Sequence, residues 1–389
     1  MKKIAMLSDH PDGSNPRIWR TAITMAELGY EVNLFCQKEP HEQEYEYKDG
    51  VHVKRVFDYK LGTTVLIDKY LMAHFHLYDA INHENSNFDV FHCHDPETWP
   101  IGYTLAKLQN AKWIADSHEF FLDYIEKKYY GDDIVKYETT VLLSKNRGSY
   151  FRYADGVIAV SEETLGALSS EYQLNCPRTV IFNTRFETDI IKINKQILRN
   201  KLGLEENIKY MVFAGNVMPD RGIENIINLV NIMPKNYRLI IIGDGLSSNA
   251  VTNDQLKTNK IIFLGRQEYQ TLIKYIHASD AYFYFPEHYG ENLMKNYLYT
   301  IPNKLFDAIF SRIPFFTFDG FAFSKYVKQY NIGAVYPIGM RQEEIANDIV
   351  KKIENNFFKD EHFYKAEDFY SWRNQKNKLK NLYYSVLEG

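Results

Sequence analysis

The residues best suited to chemistry lie in the run NYLYTIPNKLFDAIFSRIPFF (296–316). Pro302 favours the first turn of a helix, where unpaired backbone N–H groups form an anion site. Asn303 adds a hydrogen-bond donor there, and Lys304 adds a positive charge. Asp307, one turn further on, could accept hydrogen bonds from two vicinal hydroxyls, as an acidic residue does for a nucleotide ribose. The run therefore predicts a phosphate site; the alternative is a capped helix with a Lys304–Asp307 pair on its surface.

A second anion site is predicted in AGNVMPDRGIENIINLV (214–230), where a strand ends at Gly215 and a helix begins near Asp220. Arg221, next to Gly222, combines a forked donor with the positive end of the helix dipole, which suits a diphosphate. A helix cap with a solvated arginine fits the same residues.

The run IIGDG (241–245) also follows a predicted strand. Its paired glycines, Gly243 and Gly245, would let a ligand approach the backbone closely. On its own this pattern is also typical of a simple turn.

Three polar runs follow predicted strands in the first half of the chain: SDHPDGSNPR (8–17), HCHDPETWPIG (92–102) and ADSHEFF (115–121). The first contains a flexible Asp12-Gly13 turn, and the other two supply histidines and acids. Because ligands bind outside the carboxyl ends of parallel strands, the three runs are expected to face one cleft.

His94, His118 and Glu119 could suggest a metal site. No i, i+4 pair or HExxH pattern is present, so no metal is predicted. Each histidine could instead be a hydrogen-bonded structural residue.

Short apolar runs alternate with segments of helical period, which indicates parallel sheets flanked by helices. Asn15 as N-cap, Pro16 at the first position and Gly29 as stop predict the first helix. Strands are predicted in the first half at 3–7, 31–35, 51–56, 90–94, 112–117, 156–161 and 179–182, and in the second half at 210–215, 238–245, 260–265, 281–286, 314–318 and 333–338. Helices are predicted at 221–233, 267–278 and 302–312.

The two sets of strands predict an α/β protein of two doubly wound domains with a cleft between them. The polar segment between the sets carries no strand signal and is interpreted as the hinge. The predicted divisions are an N-terminal domain, the hinge, a C-terminal domain and a terminal helix: 1–183, 184–207, 208–368 and 369–389.

Composition narrows the class of protein. Of 389 residues, 46 are Lys or Arg and 50 are Asp or Glu, a net charge of −4 that does not favour nucleic acid as a partner. The three cysteines form no CxxC pair, so neither a disulfide framework nor a cysteine zinc site is indicated. The N-terminus lacks a signal-peptide apolar region and no apolar run approaches the ~18 residues of a membrane span, so a cytoplasmic protein is expected.

Taken together and in order, these segments resemble the retaining GT-B glycosyltransferases of the family 4 type, over about 370 residues. The resemblance is carried by NPRIWRTAITMAELGYEV, HCHDPETWPIG, KWIADSHEFF and DGVIAVSE in the first half. In the second half it is carried by GNVMPDRGIENII, IIGDG, IIFLGR and PNKLFDAIFSRIPF, and then by the closing YSWRNQKNKLKNLY. The family fold has two Rossmann-like domains facing a central cleft, with a terminal helix that crosses back to the first domain.

The resemblance implies a nucleoside-diphosphate sugar as donor, held mainly by the C-terminal domain. Arg221 would neutralise the diphosphate with help from Lys304, Asp307 would bind the ribose, and Gly13 would approach from the other domain. His118 matches a family histidine near the donor sugar, with Glu119 beside it. The implied catalytic residues are His118, Glu119 and Arg221. The implied donor-binding residues are Gly13, Asn216, Arg221, Gly222, Gly243, Gly245, Arg266, Asn303, Lys304 and Asp307, and Asp95 and Glu97 are assigned to the acceptor side.

Three departures from the family pattern concern the diphosphate and the ribose. A Gly-Arg pair of the family reads Gly215-Asn216 here, so one cation is missing. The family's two glutamates eight residues apart fall at Tyr299 and Asp307. A PNK-motif subgroup of the family also lacks the first glutamate.

The resemblance implies sugar transfer to an acceptor hydroxyl with retention at the anomeric carbon, without metal or other cofactor, in a surface-glycan pathway. The acceptor is left open among a glycan, a lipid-linked glycan, a protein and a small molecule. A Lys-, Arg- and Tyr-rich segment, 124–153, could contact the inner face of the cell membrane or could be a solvated helix. A nucleotide-sugar 2-epimerase and a non-catalytic nucleotide-sugar-binding subunit are the alternatives. A nicotinamide dehydrogenase is disfavoured, since no GxGxxG follows the first strand.

Overall fold

The computed structural model describes residues 1–11, 16–39, 41–58, 66–84, 86–120, 146, 148–186, 193–286 and 295–388. The chain divides into two compact units. The N-terminal unit comprises Met1–Phe182 with Gln375–Gly389, and the C-terminal unit comprises Asn183–Asn374.

The described part of the N-terminal unit contains an eight-stranded sheet in the order β3-β4-β2-β1-β5-β6-β7-β8. All pairings are parallel except that between β3 and β4. The strands are β1 Lys3–Pro11, β2 Glu31–Lys38, β3 Tyr45–Lys48, β4 Val51–Asp58, β5 Val90–His94, β6 Lys112–Ser117, β7 Gly156–Ala159 and β8 Arg178–Val180. The helices described here are α1 Pro16–Glu27, α2 Leu66–His83, α3 Trp99–Gln109 and α4 Glu162–Tyr172, with a 3₁₀ turn at Tyr150–Tyr153.

The C-terminal unit contains, within the described residues, a six-stranded parallel sheet in the order β11-β10-β9-β12-β13-β14. Its strands are β9 Lys209–Ala214, β10 Tyr237–Ile242, β11 Ile261–Phe263, β12 Ala281–Phe283, β13 Phe315–Phe318 and β14 Gly333–Tyr336. Its helices are α5 Lys195–Lys201, α6 Ile223–Ile232, α7 Ser248–Lys257, α8 Tyr269–Ala278, α9 Lys295–Tyr299, α10 Asn303–Ser311, α11 Ala322–Tyr330, α12 Gln342–Glu354 and α13 Asp360–Tyr370, with a 3₁₀ turn at Pro219–Arg221. The predicted class, two doubly wound α/β sheets, is confirmed.

The last helix, α14 Trp372–Glu388, returns the chain to the N-terminal unit, to which its residues from Gln375 onward belong. Leu379, Leu382, Tyr383 and Val386 lie on its buried face, as the helical spacing predicts. A Cβ atom added at Gly156 would lie 2.7 Å from Val386 Cγ2, so the absence of a side chain in β7 lets the helix pack closely.

The boundaries of the units differ from the prediction. The segment interpreted as the hinge, 184–207, contains α5, which packs within the C-terminal unit because Leu198 is buried and Arg199 pairs with Asp280. The terminal segment is not one helix from 369 onward. It is interrupted at Ser371, whose extended backbone ends α13, and Trp372 still contacts Phe186 of the C-terminal unit at 5.8 Å between ring centroids.

The segment predicted to contact a membrane, 124–153, lies outside the described residues except for 146 and 148–153. Among the helices of the described ranges, none is both long and apolar enough to span a bilayer.

Candidate functional site

The loops that follow β9, β10 and β11 are bonded to one another through their backbones. Gly215 N donates to Ile242 O at 2.9 Å, and Gly243 N donates to Gly265 O at 2.9 Å. A Cβ atom at Gly243 would lie 1.9 Å from Gly215 O, so any other residue would separate the two loops. The glycines predicted to admit a ligand therefore also let these strand ends pack against each other.

Lys304 lies above this junction. Helix α10 begins at Asn303, with Pro302 as its N-cap instead of its first residue. The Lys304 ammonium nitrogen lies 5.5 Å from the centre of the Phe213 ring and 5.1 Å from that of Tyr284. A Cβ atom at Gly215 would lie 2.6 Å from this nitrogen, so Gly215 provides the space that Lys304 occupies.

The Lys304 ammonium group has no hydrogen-bond or ion-pair partner among the described residues. Burial lowers the pKa of Lys304 to about 7, and the positive charge of Arg221 acts in the same direction. A half-buried cation held beside a second cation is a favourable place for an anion.

Arg221 ends the 3₁₀ turn Pro219–Arg221, and Gly222, with φ of 74°, is the N-cap of α6. A Cβ atom at Gly222 would lie 1.6 Å from Phe285 O, so this position requires glycine for its space as well as its backbone angle. Arg221 Nη1 donates to the Tyr284 hydroxyl at 3.3 Å, and its Nε lies 3.8 Å from Asp220 Oδ2. Tyr284 thus contacts both predicted diphosphate cations.

Asp307 is buried, with 7% of its surface exposed. Its Oδ1 accepts hydrogen bonds from Arg185 Nε at 3.0 Å and Arg185 Nη2 at 2.6 Å. The Arg185 guanidinium also lies over the Tyr269 ring at 5.1 Å. Asp307 therefore pairs with Arg185, and the side chains of these two residues are buried. The alternative of a Lys304–Asp307 pair on the helix surface is wrong.

The remaining predicted donor residues lie at the same edge of this sheet or near it. Asn216, Gly245, Arg266 and Asn303 are exposed there, while Gly13 is outside the described residues. Tyr299, the position of the family's first glutamate, is the last residue of α9. The structure thus brings together Gly215, Arg221, Lys304 and Tyr284, and places Asp307 one turn along α10.

The N-terminal unit has a buried polar network at the carboxyl ends of β5 and β6. Asp116 forms a short ion pair with Arg17, a residue of α1 that is fully buried. The other carboxylate oxygen of Asp116 lies 3.4 Å from His92 Nε2, 3.4 Å from His94 Nδ1 and 3.5 Å from His118 Nε2. Burial raises the pKa of Asp116, but the Arg17 guanidinium together with His118 and His92 outweighs burial and holds that pKa well below its usual range.

His118 lies between two carboxyl groups. Its Nδ1 is 3.3 Å from Asp95 Oδ2, and its backbone N–H donates to Asp95 Oδ1 at 3.0 Å. Burial lowers the pKa of His118 to about 4, so its imidazole is neutral at neutral pH. Burial and the negative charges of Asp9 and Glu97 raise the pKa of Asp95 well above its usual value.

Asp95 also has a φ of 65°, an uncommon backbone conformation outside glycine. Of the other predicted residues, Glu97 is half-buried on the loop before α3 and Glu119 is exposed after His118. Asp95 and His118 are therefore brought into direct contact, whereas Glu119 is exposed.

His92, His94 and Asp116 offer three atoms within 4.8 Å of one another, which is close enough for a metal ion. The pairing of Asp116 with Arg17 opposes a second cation, because the carboxylate charge is already neutralised. His92 Nδ1 lies 2.7 Å from the Tyr383 hydroxyl of α14, so these histidines fit a hydrogen-bond network. The absence of a metal stays a prediction.

Sequence reasoning missed Arg17, Arg185 and Tyr284. Arg17 follows Pro16 in a helix that reads as amphipathic, and only its partner 99 residues away explains its burial. Arg185 and Asp307 are 122 residues apart, so nothing in the local pattern connects them.

Two Rossmann-like units, each built on a mostly or wholly parallel sheet flanked by helices, define the GT-B class of proteins. Residues 11–184 match the model of Glycosyltransferase Family 4, and residues 194–368 match that of Glycosyl transferases group 1. The two matches leave little of the chain uncovered, and the chain belongs to the glycosyltransferases of the family 4 type. The predicted resemblance is thereby confirmed at the level of the enzyme class and its fold.

Solved structures give the same fold over the whole chain. Sucrose-phosphate synthase from Thermosynechococcus elongatus is similar with a TM-score of 0.77 at 15% identity, covering 100% of both chains. Anabaena HepE in complex with UDP has a TM-score of 0.67 at 14% identity, covering 98% of this chain and 99% of that one. WaaG, a glycosyltransferase of lipopolysaccharide biosynthesis, has a TM-score of 0.63 at 14% identity, covering 99% and 100%. No curated protein sequence matches the chain significantly.

Proposed function

We propose that this glycosyltransferase takes a sugar from a nucleoside-diphosphate sugar and transfers it to an acceptor hydroxyl with retention at the anomeric carbon. One observation carries the donor assignment. The Lys304 ammonium group, without a partner among the described residues, lies beside Gly215 and near the charge of Arg221. The UDP found in Anabaena HepE, a protein of the same fold, supports a nucleotide ligand.

The diphosphate would bind to Arg221 and Lys304, the two cations that Tyr284 contacts. Arg221 would offer its forked donors, and Lys304 would approach from the start of α10, where backbone N–H groups add further donors. As the bond to the sugar breaks, negative charge grows on the leaving phosphate. Cations already fixed in place stabilise that charge without reorganising, which lowers the barrier.

No protein nucleophile is part of the proposal. The leaving phosphate takes the proton of the acceptor hydroxyl while the transition state has oxocarbenium character. Arg221 and Lys304 supply the positive charge that a divalent cation would otherwise supply, so we propose a reaction that is independent of metal and of other cofactors.

Asp307 would bind the ribose, and its pairing with Arg185 would fix its orientation. Because both Arg185 bonds go to Oδ1, the second carboxylate oxygen is the one to meet a ribose hydroxyl. The shorter side chain of Asp307, relative to the family glutamate, makes this fixed placement important.

His118 would contribute to the sugar-binding side as a neutral imidazole. Its neutral state suits hydrogen bonding to a sugar hydroxyl, and Asp95 with Asp116 would hold the ring in place. Glu119 would lie beside His118, and Asp95 and Glu97 would face the acceptor. A glycan, lipid-linked glycan or protein acceptor, in a surface-glycan pathway at the cytoplasmic face of the membrane, completes the proposal.

A nucleotide-sugar-binding subunit without turnover is the second candidate. It is favoured by the internal engagement of His118, both of whose ring nitrogens lie near carboxylates, and by Asn216 in place of a family cation.

A thermal-shift screen with UDP, GDP, dTDP and ADP tests the donor site. A ligand at 100 times its dissociation constant should stabilise the chain by about 2.7 kcal/mol. No shift with any of the four would refute the donor assignment. Incubation of the matching donor sugar with and without acceptors then separates the functions: a transferase needs the acceptor, an epimerase changes the sugar alone, and a binding subunit does neither.

A further inference from the structure

A second concave site lies in the C-terminal unit, at the sheet edge opposite the loops described above. Its cavity has a volume of about 190 Å³. Three of its lining residues stand at the amino ends of strands: Lys209 begins β9, Asp280 directly precedes β12 and Pro314 directly precedes β13. The diphosphate cations belong to the opposite, carboxyl edge, so this cavity is a separate place.

Positive charge predominates in the lining. The charged residues are four cations and two carboxylates: Lys195, Lys209, Arg312, Lys352, Asp280 and Asp360. Arg312 is held by Glu367 through two hydrogen bonds of 2.7 and 3.1 Å, and Lys352 forms a short ion pair with Asp348. Arg312 and Lys352 are therefore each paired with a carboxylate. The excess positive charge lies on the side of the cavity formed by Lys195 and Lys209.

On that side Asp280 serves three cations, namely Lys195 and Lys209 of the lining and Arg199 behind it, whereas the charge of Asp360 acts on Arg312. Asp280 Oδ2 accepts hydrogen bonds from Arg199 Nη2 at 2.5 Å and from Tyr210 N at 2.8 Å. Lys195 Nζ lies 3.6 Å from Asp280 Oδ1. The Lys209 ammonium group has neither an ion pair nor a hydrogen bond within the described part of the chain. One carboxylate cannot neutralise all three positive charges.

The pKa of Lys195 is consistent with this excess of positive charge. Partial burial lowers its pKa to about 8 in spite of Asp280, and the charges of Arg199 and Lys209 lower it further. An anion placed between Lys195 and Lys209 would oppose both effects.

We propose that this cavity binds a phosphate group between Lys195 and Lys209, at a site distinct from the diphosphate cations and independent of the proposed function. A water molecule needs roughly 10–15 Å³ of such volume, so the cavity has room for an orthophosphate ion together with several waters. The source is either free phosphate or the terminal group of a phosphate ester. Phe357, Phe358 and Phe363 form an apolar wall that the carbon skeleton of an ester would contact.

Isothermal titration of the full chain with sodium phosphate, at constant ionic strength maintained with sodium chloride, tests the proposal. Lys209→Ala and Lys209→Gln should each weaken phosphate binding about tenfold or more, since a charge-assisted hydrogen bond is lost. Lys304→Ala, which alters the opposite edge, should leave one saturable phosphate site. Lys235→Ala removes an exposed lysine and is the control for net charge. Glucose 1-phosphate compared with phosphate, with glucose as the uncharged control, distinguishes an ester from the free ion.

Several outcomes overturn the proposal. The first is the absence of saturable phosphate binding by the unaltered chain. The second is a loss of phosphate affinity in Lys304→Ala but in neither Lys209 variant. The third is a loss of phosphate affinity in Lys235→Ala as large as that in the Lys209 variants. Circular dichroism of each Lys209 variant checks that the fold is retained, and the glutamine variant keeps most of the side-chain stem if alanine disturbs packing. Because the test uses phosphate and no donor sugar, its result does not depend on whether the chain transfers sugar.

Discussion

The state of Lys304 predicts that donor binding takes up a proton. With a pKa of about 7, Lys304 is mostly neutral in the free protein at pH 8. A diphosphate beside the ammonium group favours the charged form, so binding at pH 8 should take up about 0.9 proton, and the uptake should approach zero near pH 6. Each pH unit above the pKa should then cost about 1.4 kcal/mol of binding free energy, or tenfold in affinity.

The assay is isothermal titration with a nucleoside-diphosphate sugar in two buffers of different ionisation enthalpy. A diphosphate sugar is preferable to a free nucleotide, whose terminal phosphate itself titrates near pH 6. Lys304→Arg is the matched control, because the guanidinium stays charged throughout this pH range. Absence of uptake by the unaltered chain at pH 8, or the same uptake by the arginine variant, would refute the reasoning.

The proton linkage also affects the free protein. The pKa of Lys304 in the folded chain lies below that of an unfolded lysine, near 10.4, so the unfolded state binds more protons between these values. Stability from this group should therefore rise as pH increases from about 7 towards 10. A saturating donor should abolish this pH dependence, since it restores the proton to the folded state.

Three further predictions concern single side chains. Arg221→Ala should weaken nucleotide binding about ten- to a hundredfold, more than Lys304→Ala does, because Asn216 offers no second forked cation; unchanged titration curves in a folded variant would contradict this. His118→Ala should lower the transfer rate with little change in the dissociation constant of the free nucleotide, because it lies on the N-terminal unit; if both quantities change together, His118 is structural. Arg185→Met should destabilise the chain by about 3–5 kcal/mol, since it leaves the Asp307 carboxylate buried and unpaired, and Asp307→Asn on that background should recover much of the loss in denaturant unfolding.

Much of the fold could be predicted because most strands are continuous apolar runs. The bounds predicted for β5 and β6, 90–94 and 112–117, are those observed. The edge strand β3 was missed, because Tyr45 and Tyr47 are exposed and the segment alternates aromatic with charged residues. Strand β3 forms because β4 offers backbone groups to pair with, and the apolar content of β3 itself does not indicate a strand.

The candidate site was predictable in its residue types but not in its pairings. A lysine and an arginine at helix starts indicate an anion, and both lie where the pattern places them. The burial of Asp307 against Arg185 and the contact of His118 with Asp95 could not be read from spacing, since each pair joins segments that are distant in sequence. The local pattern suggests that these side chains face solvent, whereas in the structure they pair with residues far away in the sequence.

The return of α14 to the N-terminal unit has a consequence for the order in which the chain folds during synthesis. Val386 covers the face of β7 at Gly156 and Tyr383 supplies the hydroxyl group that meets His92, and both residues are translated after the whole C-terminal unit. The N-terminal half therefore emerges with part of its apolar core exposed. Its core is not completed until the whole C-terminal unit has been translated. Loss of the residues from Gln375 onward would leave the first half of the protein without one wall of its core.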